Sequence, residues 1–319
     1  MITLPAELRH ALNTMMAGHR EHDLARSAGE LTARYRRPAH EPALRSITDV
    51  AAYAATRMPA TYAAVTAALT QAAASVPDFR PATQLDVGGG TGAAIWAATA
   101  IWPSLRQLTL IERDPAVIAF GQGLAAAAAH PAVRHATWRK SAIRADLATP
   151  PADLITISYV LAEMPPDAQE AVVRWSAEHG TMVAIVEPGT PDGYARVLAA
   201  RDHLIGLGRR IAAPCPHTGA CPLPAGEWCH FSARLPRTAL HRRLKAAELG
   251  FEDEKFSYVI ATSTPANPPE SRILRHPRTR KGLVTLTLCS EELLEENVSK
   301  RHGDAHRAAR NAAWGDPWP

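Results

Sequence analysis

The chain has 319 residues, 46% hydrophobic and 21% charged, with four cysteines and a formal net charge of +4. That is enough apolar material for one large domain or two modest ones, and it excludes the small secreted class framed by disulfides. No run of eighteen apolar residues exists, and the opening MITLPAELRHALN has neither signal-peptide nor transit-peptide character, so the expectation is a soluble, cytosolic protein with no membrane partner.

Residues 1 to about 80 read as helical. ITDVAAYAATRMPATYAAVTAALTQAAA is Ala-rich, spaces Leu and Val at helical intervals and is interrupted by Pro59, which suits a helical N-terminal cap. From Thr83 the texture changes to short apolar runs between longer helical stretches: TQLDV, QLTLI, DLITIS, TMVAIVE, and later KFSYVI and GLVTLTL. Such alternation predicts a parallel α/β sheet over residues 81–319. Nearly seventy residues separate MVAIVE from KFSYVI, more than one crossover helix needs, so an insertion is expected at about 209–250, late in the sheet, with a basic C-terminal tail beyond. STPANPPESR, residues 263–272, reads as a plain loop.

LDVGGGTGAAIW places a strand ending at Val87 directly before Gly88, Gly89, Gly90 and Gly92, with a helix beginning around Ala93. A turn of this kind lets the backbone approach a ligand closely and aims helix N-terminal N–H groups at it. The glycines fall as G-x-G-x-G, not as the G-x-G-x-x-G of dinucleotide-binding folds, and Asp86 stands two positions before the first. This pattern resembles motif I of the class I S-adenosylmethionine-dependent methyltransferases. The next strand, QLTLIERDP, ends at Glu112, some twenty residues past Gly92, where a carboxylate can accept from both ribose hydroxyls; that spacing fits either adenosyl cofactor. The strand on which many nucleic-acid methyltransferases carry N-P-P-Y, D-P-P-Y or Pro-Cys reads ITISYVLAEMP here. None of those motifs is present, and no catalytic residue is assigned. Glu163 in this stretch is read as a carboxylate complementing a helix start.

Cys215, Cys221 and Cys229 lie within fifteen positions in PCPHTGACPLPAGEWCHF, and Cys289 ends GLVTLTLC. Four thiolates complete a tetrahedral set for either a structural zinc or an iron-sulfur cluster. Neither standard spacing matches, and His217 and His230 keep a mixed zinc site open.

LDVGGGTG, IERDP, SYVLAEMP, VEPGTPDGY, PCPHTGACPLPAGEWCHFS, ELGFEDEKFSYV, RKGLVTLTLC, VSKR and YAATRMPATYAA together resemble the Rsm-twenty-two (Rsm22) family, bacterial relatives of the mitochondrial small-ribosomal-subunit methyltransferase-like assembly factors. The resemblance covers nearly the whole chain. It implies a class I methyltransferase (Rossmann-like) fold, S-adenosylmethionine as cofactor, a 4Fe-4S cluster on Cys215, Cys221, Cys229 and Cys289, and association with the small ribosomal subunit during assembly.

Charge supplies a candidate surface for that partner. Residues 201–319 carry 18 Lys and Arg against 13 Asp and Glu, whereas residues 1–200 carry 17 against 18. RLPRTALHRRLK and RILRHPRTRK each hold five basic residues, and Arg242, Arg243, Arg278 and Arg280 are expected to meet rRNA phosphates. The alternative is that Arg242 and Arg243 pair with the acidic ELGFEDE that follows. The overall expectation is an S-adenosylmethionine-binding, iron-sulfur factor acting on rRNA or the small subunit. Its rivals are a catalytically active rRNA methyltransferase and a non-catalytic RNA-binding protein stabilised by zinc.

Overall fold

The computed structural model describes residues 1–34, 44, 46–144, 148–245 and 247–319. The parts of the helical and insertion expectations that fall on 35–43, 45 and 246 lie outside these residues. Four helices come first: α1 (Ala6–Met16), α2 (Glu21–Arg34), α3 (Ile47–Thr56) and α4 (Met58–Ser75). Ser46 caps α3 by accepting from the Asp49 N–H at 3.1 Å, a standard way to satisfy an orphan donor. Only Arg57 separates α3 from α4, because Pro59, in the first turn of α4, lacks the N–H that a continuous helix would need there. Met58, Tyr62, Ala63, Ala64, Val65, Ala68, Leu69 and Ala72 of α4 are all buried. An apolar surface of that width marks a helix enclosed by protein, and α4 packs against the main sheet and its neighbouring helices.

The main sheet is built from β1 (Thr83–Val87), α5 (Ala93–Ile101), β2 (Gln107–Glu112), α6 (Pro115–Ala125), α7 (Pro131–Arg134), β3 (Thr137–Lys140), β4 (Ala152–Ser158), α8 (Pro166–His179), β5 (Gly180–Pro188), α9 (Pro191–Gly206), β6 (Arg210–Ala213), β7 (Phe231–Pro236), α10 (Ala239–Leu244) and β8 (Phe251–Thr262). Its order is β3-β2-β1-β4-β5-β8-β6, with β7 also paired to β8. Strands β1 to β5 are mutually parallel where they pair. Their central residues, Leu85, Val87, Leu110, Ile111, Ile155, Ile157, Val183 and Ile185, are buried, as a sheet covered on both faces requires. The strand order reverses at β1 and β4, which opens a crevice beyond their carboxyl ends.

The late strands differ from the all-parallel reading. KFSYVI lies in β8, which runs antiparallel to β5, β6 and β7. GLVTLTL lies outside the main sheet altogether. It forms β11 (Leu283–Cys289), the centre of a second antiparallel sheet with β9 (Ser271–Ile273), β10 (Arg278–Arg280), β12 (Leu293–Ser299) and β13 (Pro317–Trp318). Helix α11 (Asp304–Asn311) covers it. Its core is its own: Ile273, Val284, Leu286, Leu288, Val298, Ala309 and Trp318. Alternation of apolar and Thr residues in GLVTLTL fits a strand with one buried face, and this, more than a fully buried parallel strand, is what the burial shows. Among the described residues no helix is long and apolar enough to cross a membrane.

Candidate functional site

The glycine turn leaves β1 at the reversal point. Gly88 and Gly89 N–H groups both donate to the Ile111 carbonyl, at 2.9 and 3.0 Å, which pins the turn to the end of β2. Gly88 and Gly90 have φ of 72° and 54°, a left-handed geometry that glycine adopts without a steric penalty. A side chain on Gly90 would point at the Tyr53 hydroxyl, 3.8 Å from an ideal Cβ. Glu112 is brought to the same turn: its Oε2 accepts from the Gly90 N–H at 3.1 Å, and its Oε1 from the Arg113 and Asp114 N–H groups at 2.7 and 2.9 Å.

Asp86 lies beneath the glycines, 1% exposed. Thr156 on β4 donates to its Oδ1 at 2.7 Å, while Oδ2 has no partner among the described residues. Burial pushes the carboxyl up to about 7 against the opposing effect of the Thr156 hydrogen bond, because the charged form loses hydration that one hydroxyl does not replace. A cleft opens here, lined by Asp86, Gly88, Gly90, Ser158 and the helical residues Tyr53 and Met58, among others. The sequence-predicted residues Asp86, Gly88, Gly89, Gly90, Gly92 and Glu112 are thus gathered in one turn and strand end.

Tyr53, Met58 and Thr61, which also lines the cleft, were not foreseen. They come from YAATRMPAT in the helical region, and helical spacing alone gives no sign that this face meets a cleft and not a core. Tyr53 is pushed up to about 12, by burial first and then by the Glu163 carboxylate. Glu163 itself pairs with Arg113 at 3.0 Å.

The cysteines occupy a different part of the molecule. Residues 214–230 connect β6 to β7 and carry Cys215, Cys221 and Cys229, while Cys289 ends β11. The loop is tied down from several sides. Buried Arg272 donates to the Pro214 carbonyl at 2.5 Å, to Gln71 at 2.7 Å and to the Gly315 carbonyl at 2.8 Å. Arg201 on α9 donates to the His217 and Gly219 carbonyls at 3.1 and 2.6 Å, and Ser257 on β8 donates to the Cys229 carbonyl at 2.7 Å. The Tyr194 hydroxyl lies 3.2 Å from the Cys221 sulfur. Cys289 Sγ is 3.8 Å from His217 Nε2. Burial pushes the Cys215 thiol up and Cys289 up to about 12, and the Cys215 and Cys221 thiols add to the Cys289 shift. The four sulfurs are close enough to act on one another electrostatically. Among the described residues, however, no three His, Cys, Asp or Glu side chains are gathered closely enough to hold a metal ion.

The four arginines fall into two groups. Arg243 pairs with Glu21 on α2 at 2.7 Å, and Arg278 pairs with Glu295. All four are exposed. The acidic ELGFEDE takes other partners: Arg234 on Asp253, and Arg237, His241 and Lys245 on Glu252. Arg272, counted by sequence in a basic surface segment, is instead a buried clamp.

A parallel sheet reversing beside a glycine turn, with acids at the ends of β1 and β2, defines the class I methyltransferase (Rossmann-like) fold. The chain belongs to the Rsm22 family: a family model described as the mitochondrial small ribosomal subunit protein Rsm22 matches residues 47–319. It is 30% identical over 294 residues to the human mitochondrial ribosome assembly protein METTL17, covering 84% of this chain and 62% of that one. It is 24% identical over 341 residues to the mitochondrial Rsm22-cox11 tandem protein 2 of Schizosaccharomyces pombe, covering 88% and 45%. The chain therefore spans less than two thirds of the length of these relatives. Among solved structures, magnesium protoporphyrin IX methyltransferase of Synechocystis with bound S-adenosylmethionine aligns at a TM-score of 0.42 and 12% identity, over 73% of this chain and 91% of that one. The cytosolic location expected from the sequence is corrected by the relatives. The family is described as mitochondrial, and the human and fission-yeast proteins are named as mitochondrial.

Proposed function

We propose that this chain is an S-adenosylmethionine-binding factor that acts on rRNA or the small ribosomal subunit during assembly or translation, with its cysteine loop held by a 4Fe-4S cluster. One observation carries the cofactor reading. The buried Asp86 Oδ2 stands beneath a glycine turn whose cleft a Cβ at Gly90 would enter. A buried acceptor of this kind is costly unless a ligand supplies the donor. Among the described residues Oδ2 is left without a partner, and Asp86, Gly88, Gly89, Gly90, Gly92 and Glu112 are the residues assigned to the cofactor. Glu112 would take the ribose hydroxyls with lone pairs left over from its backbone contacts. The cofactor supplies an electrophilic methyl group when bound; the chain orients it and keeps water from it.

The cluster reading rests on the family resemblance and on four thiols that act on one another electrostatically, a full set of thiolate ligands for such a group. Cys215, Cys221, Cys229 and Cys289 would hold it, and it would tie the 214–230 loop to the second sheet. The partner reading rests on family membership and on the C-terminal excess of basic residues, with Arg242, Arg243, Arg278 and Arg280 assigned to RNA phosphates. Sedimentation with purified small subunits tests it. The protein should travel with them at low salt and leave as salt rises; failure to bind small subunits or their precursors at any salt contradicts the proposal.

A further inference from the structure

Beside the adenosyl cleft the backbone departs from its usual conformations. Tyr159, the first residue after β4, has φ of 58°, and no other described non-glycine residue has a positive φ. Bulky side chains seldom adopt that region, and such strain persists where surrounding contacts impose it. Here the Tyr159 N–H donates to the Val186 carbonyl at 2.8 Å, and its hydroxyl donates to Glu254 Oε1 at 2.9 Å. Ser158, one position earlier, lines the cleft.

Glu254 reaches this place because β8 is longer than its neighbour. Residues 256–262 of β8 pair with β5, and the last pair joins Phe256 to Pro188, the final residue of β5. Residues 251–255 run on past that edge and pair with β7, and the Gly189 N–H donates to the Lys255 carbonyl at 2.9 Å. This hairpin overhangs the carboxyl ends of the parallel strands, the side on which the crevice opens. Arg57, one helical turn beyond Tyr53, acts electrostatically on Tyr159 and on Glu254. Glu187, Glu252 and Lys245 are the other charged groups in their field. Tyr159 and Glu254 are both half-buried, so a ligand can reach them.

We propose that Tyr159 and Glu254 form a methyl-acceptor site for a nitrogen nucleophile carrying an N–H, such as an exocyclic amine or amide, with Glu254 as the proton acceptor and Tyr159 as its positioning residue. The proposal rests on the S-adenosylmethionine reading above. Residues 155–165 hold no cysteine, which removes covalent addition to a pyrimidine ring at this strand end. A carboxylate acceptor would be repelled by Glu254. An N–H donor instead satisfies Glu254 Oε2 while Tyr159 holds Oε1. The acceptor's lone pair forms the N–C bond to the methyl carbon, the C–S bond breaks with its electron pair returning to sulfur, and the nitrogen's proton passes to the Glu254 carboxylate. Sulfonium and carboxylate enter; thioether and carboxylic acid leave.

The test uses the full chain, tritiated S-adenosylmethionine and small-subunit particles from cells lacking this protein, with cofactor affinity measured separately by calorimetry. Glu254→Gln should lower the methyl-transfer rate constant by about a hundredfold and flatten the rise of rate with pH, with cofactor affinity unchanged. Tyr159→Phe, which keeps the ring, should show a smaller loss of rate in the same direction. Equal rates for Glu254→Gln and the parent overturn the proposal. So does a parent that binds the cofactor yet labels neither the RNA nor the proteins of the particles, and in that case the cofactor reading stands. A parent that does not bind the cofactor removes both.

Discussion

The glycine turn and the cysteine loop are both gathered by the same sheet, yet they are put together in opposite ways. The turn is local: Asp86 to Gly92 are consecutive, their N–H groups are fixed by the adjacent strand end, and the long-range additions are Glu112, Thr156 and one face of α3 and α4. The cysteine loop is assembled from afar. Tyr194, Arg201, Ser257, Arg272 and Cys289, spread over about a hundred positions, hold a segment with little regular structure. A site made by adjacent backbone groups survives the loss of distant contacts. A site made by distant side chains does not, unless something closes it.

That contrast is broken most severely at Cys289. Cys289→Ser should lose most bound iron and sulfide and loosen residues 214–230, read as faster amide exchange there, while the glycine turn keeps its protection. Unchanged iron content would place the fourth ligand elsewhere. Stoichiometric zinc with no sulfide in anaerobically purified parent would replace the cluster with a zinc site.

The next effect sharpens the local side of the comparison. The folded-state carboxyl of Asp86 titrates near 7, above its unfolded value, so folding retains a proton that the unfolded chain releases. The associated stability is full below the unfolded pKa and is lost as pH rises towards and through 7. Asp86→Asn removes this loss. Between pH 4 and pH 8 the parent should therefore lose stability relative to the variant, on the order of 3 to 4 kcal/mol. Denaturant titrations at the two pH values measure it, and parallel changes in both proteins would show that Asp86 is not held protonated.

The smallest effect concerns the basic surface. Replacing Arg242, Arg243, Arg278 and Arg280 with Ala should weaken binding to rRNA across sequences and reduce the slope of log affinity against log salt by up to about 3. Arg243 and Arg278 already have acidic partners in the protein, so Arg242 and Arg280 should account for most of the change. An unaltered slope reassigns all four to intramolecular or solvent contacts.

How much was readable beforehand follows from the same difference. LDVGGGTG and IERDP show the turn and its acid because those residues need particular backbone conformations at fixed spacing, and the folded chain brings them together. Tyr53 gave no such signal, since an aromatic residue on an Ala-rich helix has the pattern of a core residue. Apolar runs identified KFSYVI and GLVTLTL as strands, but a strand's direction and its choice of sheet depend on tertiary pairing, and GLVTLTL joined a second sheet with its own core. Arg272 read as surface charge; only the fold shows three of its contacts inside.

The central claim is that the glycine turn is built to hold an adenosyl cofactor. Isothermal titration of S-adenosylmethionine into the parent and into Gly90→Val tests it most directly, because the valine would enter the cleft and must adopt a φ of 54° that β-branched residues avoid. The account predicts one site per chain in the parent and none measurable in the variant, with both proteins folded by circular dichroism. Equal binding by the two, or no binding by the parent, would contradict it.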